Sequence, residues 1–321
     1  MSTRINERML LVSETTGEVI DVLSPGARVS GVDDVRFERL KVVRRKKASE
    51  GVVSSLEDLH PPDETPSVPV RNRINSAFAK YGNFVWSIHE ISHCLFPNIS
   101  PAHLTRLMYL ANWMDYDGVI TDSNGAVLKP CDITGLLNLS ASQFYDFTDE
   151  VKRCEIFFKD SGRCKLDQKY FRRGAIRDSF RNQIFDEGKR ITRIYSAALK
   201  SFYLNSRPQD IVRLGYLLRA MPYANLEYNI LCKNPLENRL RRIEPLSIGD
   251  FCDIVGYSRK NAKRLSEDLF RLTFPLNGRQ QHIAAQVNGD GWGVNKKFIF
   301  VNPLVYYGGG NHKRVEETAG F

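Results

Sequence analysis

The sequence has no C-x-x-C pair: its six cysteines, at 94, 131, 154, 164, 232 and 252, stand apart. That excludes a zinc ribbon and a thioredoxin-like redox site, and predicts free thiols in a reducing cytoplasm. No apolar run approaches the ~18 residues of a membrane span. Residues 1–8 hold no apolar signal core, so neither membrane insertion nor secretion is expected. There is no P-loop, no dinucleotide-binding glycine fingerprint and no G-x-S-x-G. These absences predict a cytoplasmic protein that is not an enzyme and carries no cofactor.

What is present is a basic chain long enough for two domains. Its 321 residues are 42% hydrophobic, enough for ordinary packed cores. The net charge of +9 favours a polyanionic partner, through release of counterions from phosphates. Residues 8–22 read as a hairpin, Met9–Val12 and Val19–Val22 around a turn at 14–17. From Arg36 to Lys47 there are seven Lys or Arg against Glu38. Pro61, Pro62, Pro66 and Pro69 then lie among acidic and small residues. Residues 1–70 are therefore expected to form a hairpin, a basic arm and a mobile linker. Residues 71–98 read as a short connecting segment with a strand over Asn83–Ile88.

The strongest internal signal is a repeat. R-L-M-Y-L-A-N-W-M-D-Y at 106–116 matches R-L-G-Y-L-L-R-A-M-P-Y at 213–223 in six of eleven positions, at an offset of 107 residues. Pro130 and Ile133 correspond loosely to Pro245 and Ile248. In each copy a helix, an extended or irregular segment, a short helix, a turn, a second helix and a pair of strands follow in order. Asn124-Gly125 is a hairpin turn in the first copy. This layout predicts a mainly α fold with small β wings, as tandem winged helix-turn-helix domains at 99–176 and 205–307. A basic linker helix over 177–204 and a flexible tail over 308–321 complete the expected plan.

In the second copy, Ala262, Leu265, Leu269 and Phe270 form a buried stripe on a helix over 258–270. Arg259, Lys260, Asn261, Lys263 and Arg264 fill the other face near its start, where helix-turn-helix proteins meet base edges. Arg and Lys suit guanine and Asn suits adenine. In the first copy the stripe is Phe144, Phe147 and Val151. There Ser142 and Gln143 are the expected base contacts, amid Asp146, Asp149 and Glu150, which disfavour phosphates. Its alternative role is dimerisation or scaffolding. Between the copies, residues 163–200 carry eleven Lys or Arg against four acids. Arg172, Arg173, Lys189, Arg190 and Arg193 are the expected backbone contacts here. Ile191, Ile194, Tyr195, Ala198 and Phe202 have the spacing of an amphipathic helix. Lys296 and Lys297 open the last wing strand.

One motif points elsewhere. His89-Glu90-Ile91-Ser92-His93 fits H-E-x-x-H, which on a helix offers two imidazoles to zinc and a Glu as general base. A zinc metalloprotease through His89 and His93 is thus an alternative. Against it, residues 83–86 read as strand, Pro97 stops any helix, and no third ligand sits at a recognisable spacing. Packed or surface histidines are expected instead.

The opening helix ending in Met114-Asp115-Tyr116-Asp117-Gly118, the Asp132–Val151 region with Leu139-Ser140 at its turn, and the strand closing in Val301-Asn302-Pro303-Leu304-Val305-Tyr306-Tyr307-Gly308-Gly309 resemble the RepL-like plasmid replication protein family of firmicutes and related phage winged-helix proteins. The resemblance implies sequence-specific binding of double-stranded DNA, in replication initiation or maintenance at a plasmid or phage origin, with replication machinery as a further partner. A transcriptional regulator would use the same parts, with transcription machinery as its partner. A non-catalytic protein-interaction scaffold would use the acidic face of the first copy. The oligomeric state is left open, because two domains can read two half-sites as one chain.

Overall fold

The computed structural model describes residues 82–276, 278–288 and 297–311, and ahead of them the backbone of five strands between Thr3 and Arg39. Contacts divide the chain into units 1–59 and 60–321. In the first, β1 (Thr3–Arg4) pairs with β4 (Arg28–Val29). β2 (Met9–Ser13) lies between β3 (Val19–Leu23) and β5 (Val35–Arg39), antiparallel to both. The expected hairpin corresponds to β2 and β3. The basic run starts inside β5, so its first residues are strand and not arm. The expected mobile linker over 48–70 lies outside the described residues.

The second unit is organised around a four-stranded antiparallel sheet in the order β15-β10-β6-β9. These strands are β6 (Phe84–Glu90), β9 (Phe171–Arg172), β10 (Lys189–Tyr195) and β15 (Tyr306–Tyr307). β6 and β10 are rich in Val, Ile, Thr and aromatics, which suit a pleated surface. Val85 and Ile194 face the main core, whereas Trp86, Ile88 and Ile191 pack on the other side with Ile184 of α4 (Asp178–Asp186). Burial on both faces explains why neither strand alternates in polarity.

Each repeat then adds its own elements. The first has α1 (Pro101–Ala111), α2 (Pro130–Leu136), α3 (Ala141–Arg153) and the β7 (Phe157–Asp160)/β8 (Arg163–Leu166) hairpin. Between α1 and α2 the chain turns at Gly125, with φ +84°, and bridges Thr121 to Val127. After α5 (Ser196–Asn205), the second repeat has α6 (Pro208–Arg219), α7 (Ile248–Val255) and α8 (Ala262–Phe270). Two hairpins close it: β11 (Thr273–Leu276) with β12 (Arg279–His282), and β13 (Ala284–Asn288) with β14 (Lys297–Val301).

Among the described residues 40% are helical and 24% lie in strands, in several antiparallel sheets, so the fold is mixed α and β. This overturns the expected mainly α architecture of tandem winged helix-turn-helix domains with small wings. The central sheet accounts for the difference. Two of its strands, β6 and β10, come from the stretches read as connecting segment and linker helix, and β9 and β15 come from the ends of the two expected winged-helix domains. In particular, residues 191–202 are not one amphipathic helix. Ile191, Ile194 and Tyr195 belong to β10, and Ala198 and Phe202 to α5. A strand buried on both faces that runs straight into a helix presents apolar residues at spacings that imitate a helix.

The two repeats share one continuous core that includes Leu107 and Met108 of α1 with Leu214 and Leu217 of α6. α1 approaches α6 at backbone distance: a Cβ built on Gly215 would lie 1.8 Å from the Pro101 carbonyl oxygen. Thr105 Oγ1 donates to the Ile211 carbonyl at 2.8 Å. Arg219, buried at the end of α6, donates to the carbonyls of Val255 (2.8 Å) and Ile99, tying α7 to the entrance of α1. The tail does not loosen at 308. Gly309 is buried, its carbonyl accepts from Arg193 at 2.8 Å, and a Cβ there would lie 1.8 Å from the Leu226 carbonyl oxygen. Residues 312–321 lie outside the described residues. No described helix is long and apolar enough to cross a membrane.

Candidate nucleic-acid interface

The α7–α8 pair is shaped by local chemistry. Ser247 caps α7: its hydroxyl accepts from Asp250 N at 3.0 Å, while the Asp250 carboxylate accepts from Ser247 N at 3.1 Å. The Ser247 hydroxyl also donates to the Asp250 carboxylate at 2.8 Å, and this bond, with the one from Ser247 N, holds the carboxyl below its ordinary range. Gly256, at φ +71°, ends the helix in the left-handed conformation that favours glycine. A 3₁₀ turn, Arg259–Asn261, leads into α8. Leu265 and Leu269 are buried beneath α8, with Ala262 and Phe270 packed at the edges, as the spacing predicts.

The cations on this segment differ in their freedom. The Arg259 guanidinium grips Asp253 of α7, with Nε at 2.6 Å from one oxygen and Nη2 on the other, above Gly249. Hydrogen bonding from Arg259 pulls the Asp253 carboxyl down. Lys260, Asn261 and Lys263 are exposed, and their side chains have no hydrogen bond or ion pair among the described residues. Arg264 is also exposed but turns toward α6, where it lines a cleft with Arg213 and Asp268. The Arg213–Asp268 ion pair, at 2.8 Å and half-buried, locks α8 onto α6.

Further exposed cations that the sequence reading passed over lie on the segments before and after this helix pair. The segment entering α7 exposes Lys233, Arg239, Arg241 and Arg242, with Lys233 3.6 Å from Asp250. The β11–β12 hairpin exposes Arg279, Gln280 and His282, and His282 Nδ1 donates to the Phe270 carbonyl at 3.1 Å, fixing the hairpin to the end of α8. The signal was the R-L-R-R run at 239–242 and Arg279 so soon after the helix. Reading a single pair of strands after the second helix left this first hairpin unread. Lys297 is exposed at the start of β14, and Lys296 lies outside the described residues.

The other expected contacts fare differently. In α3, Ser142 is exposed, but the Gln143 side-chain oxygen accepts from Ser140 N at 3.0 Å to complete the cap. Glu150 is also taken: its carboxylate accepts from Ser100 N at 2.7 Å and contacts His103.

The interdomain cations are corrected more sharply. Arg190 is 1% exposed and donates to the carbonyls of Met221 (3.1 Å) and Ala224 (2.7 Å). Arg193, 5% exposed, holds Gly309 and lies over the Trp86 ring. Both are interior and present no surface to a duplex. Burial lowers each guanidinium from its ordinary value to about 10. Arg172 stacks on Phe180 and donates to the Gln168 carbonyl at 3.1 Å. Arg173 donates to the Met114 carbonyl at 2.8 Å. Lys189 pairs with Glu187 at 2.8 Å. Arg172 and Arg173 thus tie the end of β9 to its surroundings, whereas Lys189 stays half-exposed in a local pair.

The H-E-x-x-H motif is not helical. His89 lies on β6, and His93 follows in a turn. His89 is buried, with Nδ1 2.9 Å from the Glu90 carbonyl and Nε2 2.9 Å from Thr192 Oγ1. Burial, with Arg190 nearby, pulls its imidazole from 6.5 to about 3. A neutral ring then donates from Nδ1 and accepts at Nε2, which leaves no lone pair for a metal. No group of three or more His, Cys, Asp or Glu among the described residues could hold a metal ion.

Comparison with family models, with curated proteins and with solved structures finds no match to this chain.

Proposed function

We propose that this is a non-catalytic, sequence-specific binder of double-stranded DNA that inserts α8 into the major groove. The observation that carries it is Lys260, Asn261 and Lys263, exposed and unpartnered among the described residues, at the start of a helix pinned from behind by Leu265 and Leu269. Lysines there reach guanine O6 and N7, and Asn261 matches the N6/N7 edge of adenine. Arg259, committed to Asp253, braces the turn. Arg239, Arg241, Arg242 and Arg279 supply phosphate contacts to either side. With the likeness to RepL-like proteins, the target is an origin of a plasmid or phage, and the role is initiation or maintenance of replication.

Selection of bound fragments from a host genome with its mobile elements tests this. Origin fragments are expected to be enriched, and promoter fragments would make the protein a transcriptional regulator instead. On a selected duplex, Lys260→Ala or Lys263→Ala should lower affinity and relax preference at one or two positions, by about 1–3 kcal/mol of discrimination each. If a chain lacking both lysines retains wild-type sequence preference, α8 is not the reading element.

A further inference from the structure

A polar cleft of about 380 Å³ lies beside α8, between its far end and the start of α6. Four guanidiniums line it, Arg207, Arg213, Arg264 and Arg271, against two carboxylates, Asp210 and Asp268. Both carboxylates are taken. Arg207 Nε pairs with Asp210 at 3.0 Å, and Arg213 Nη2 with Asp268 at 2.8 Å. Arg264 and Arg271 are left with no ion pair among the described residues, although they share the cleft with two acids. Two unneutralised guanidinium forks in one concavity match the oxygens of a phosphate group, which accepts parallel N–H bonds. Gln209 and Thr273 add neutral donors to the same walls.

Position says where such a phosphate comes from. Lys263 and Arg271 stand eight residues apart on α8 and its C-cap, ~12 Å at helical rise. The major groove is about that wide. A helix that enters the groove at Lys263 therefore has Arg271 over the flanking sugar–phosphate strand.

We propose that this cleft seats a phosphate group, namely a backbone phosphodiester of the duplex that α8 reads. The seat fixes the depth and register of the helix without carrying sequence information. The DNA source rests on the reading of α8 given above, and the phosphate chemistry does not.

The test uses the full chain and titrates selected and scrambled duplexes over a range of salt. Arg271→Gln should weaken both about tenfold, the weight of one charge-assisted hydrogen bond. It should also lower the slope of log affinity against log salt by about 1. Lys263→Ala should act on the selected duplex more than on the scrambled one. If Arg271→Gln matches wild type in affinity and slope while wild type binds DNA, the cleft proposal is overturned and the DNA reading survives. Suppose instead that no duplex binds, and inorganic phosphate raises the Tm of the wild type but not of Arg264→Gln/Arg271→Gln. The DNA reading then falls, and the cleft stands as a site for a free phosphate compound. If neither duplex nor phosphate acts, both are overturned.

Discussion

His89 gives the second unit a built-in sensitivity to acid. Its imidazole takes a proton near 6.5 in the unfolded chain but only near 3 when buried on β6. Between those values the unfolded state holds the extra proton. The stability His89 confers is therefore complete above 6.5, drains as pH falls, and is gone once pH passes below the folded value. The slope in that window is about 1.4 kcal/mol per pH unit. Denaturant unfolding at pH 7 and pH 5 should show the wild type losing about 2 kcal/mol more than His89→Gln; an equal loss in both would show that the imidazole titrates freely. At this scale the sequence was least legible. The charges of Arg190 and Arg193 were plain, but their destinations were not, because the carbonyls of Met221, Ala224 and Gly309 that make their burial possible come from distant parts of the sequence. Lys260 and Lys263 could be read because their neighbours at helical spacing, Leu265 and Leu269, define the opposite side.

Among the elements, α7 and α8 act as one device, because Asp253 of α7 holds Arg259 at the mouth of α8. Asp253→Asn removes a carboxylate from this surface and releases the guanidinium. It should tighten binding to the scrambled duplex more than to the selected one, narrowing the ratio between them. Gel-shift titrations with both duplexes measure this, and an unchanged ratio would show that the pair plays no part in selection. Helices were legible where a cap and a stripe coincide, as at Ser140 before the Phe144, Phe147 and Val151 stripe of α3. Hairpins were legible where a turn dipeptide stands, as at Asn124-Gly125. The four-stranded sheet was not. Two of its strands, β9 and β15, are two residues long. Its partners are brought together from positions as far apart as 84 and 307, and nothing local announces such a pairing.

At the scale of the whole molecule, the contact between α1 and α6 decides whether the repeats behave as two bodies or one. Gly215→Ala improves helix propensity by about 1 kcal/mol, yet it drives a methyl into the Pro101 carbonyl. The net should be a loss of about 1–3 kcal/mol or more. Gly135→Ala on α2 meets nothing within 4 Å and should be neutral or stabilising by up to about 1 kcal/mol. Urea unfolding of the two variants side by side measures the difference, and equal stabilities would mean that α1 can slide away from α6. The duplication itself was visible in the matched residues at 106–116 and 213–223, but its consequence for packing was not. Gly215 stands where the first copy has Met108, at the same offset of 107 residues. The matched letters therefore do not carry matched surroundings: at one of these two positions a thioether is housed, and at the other there is room for a hydrogen atom and nothing larger.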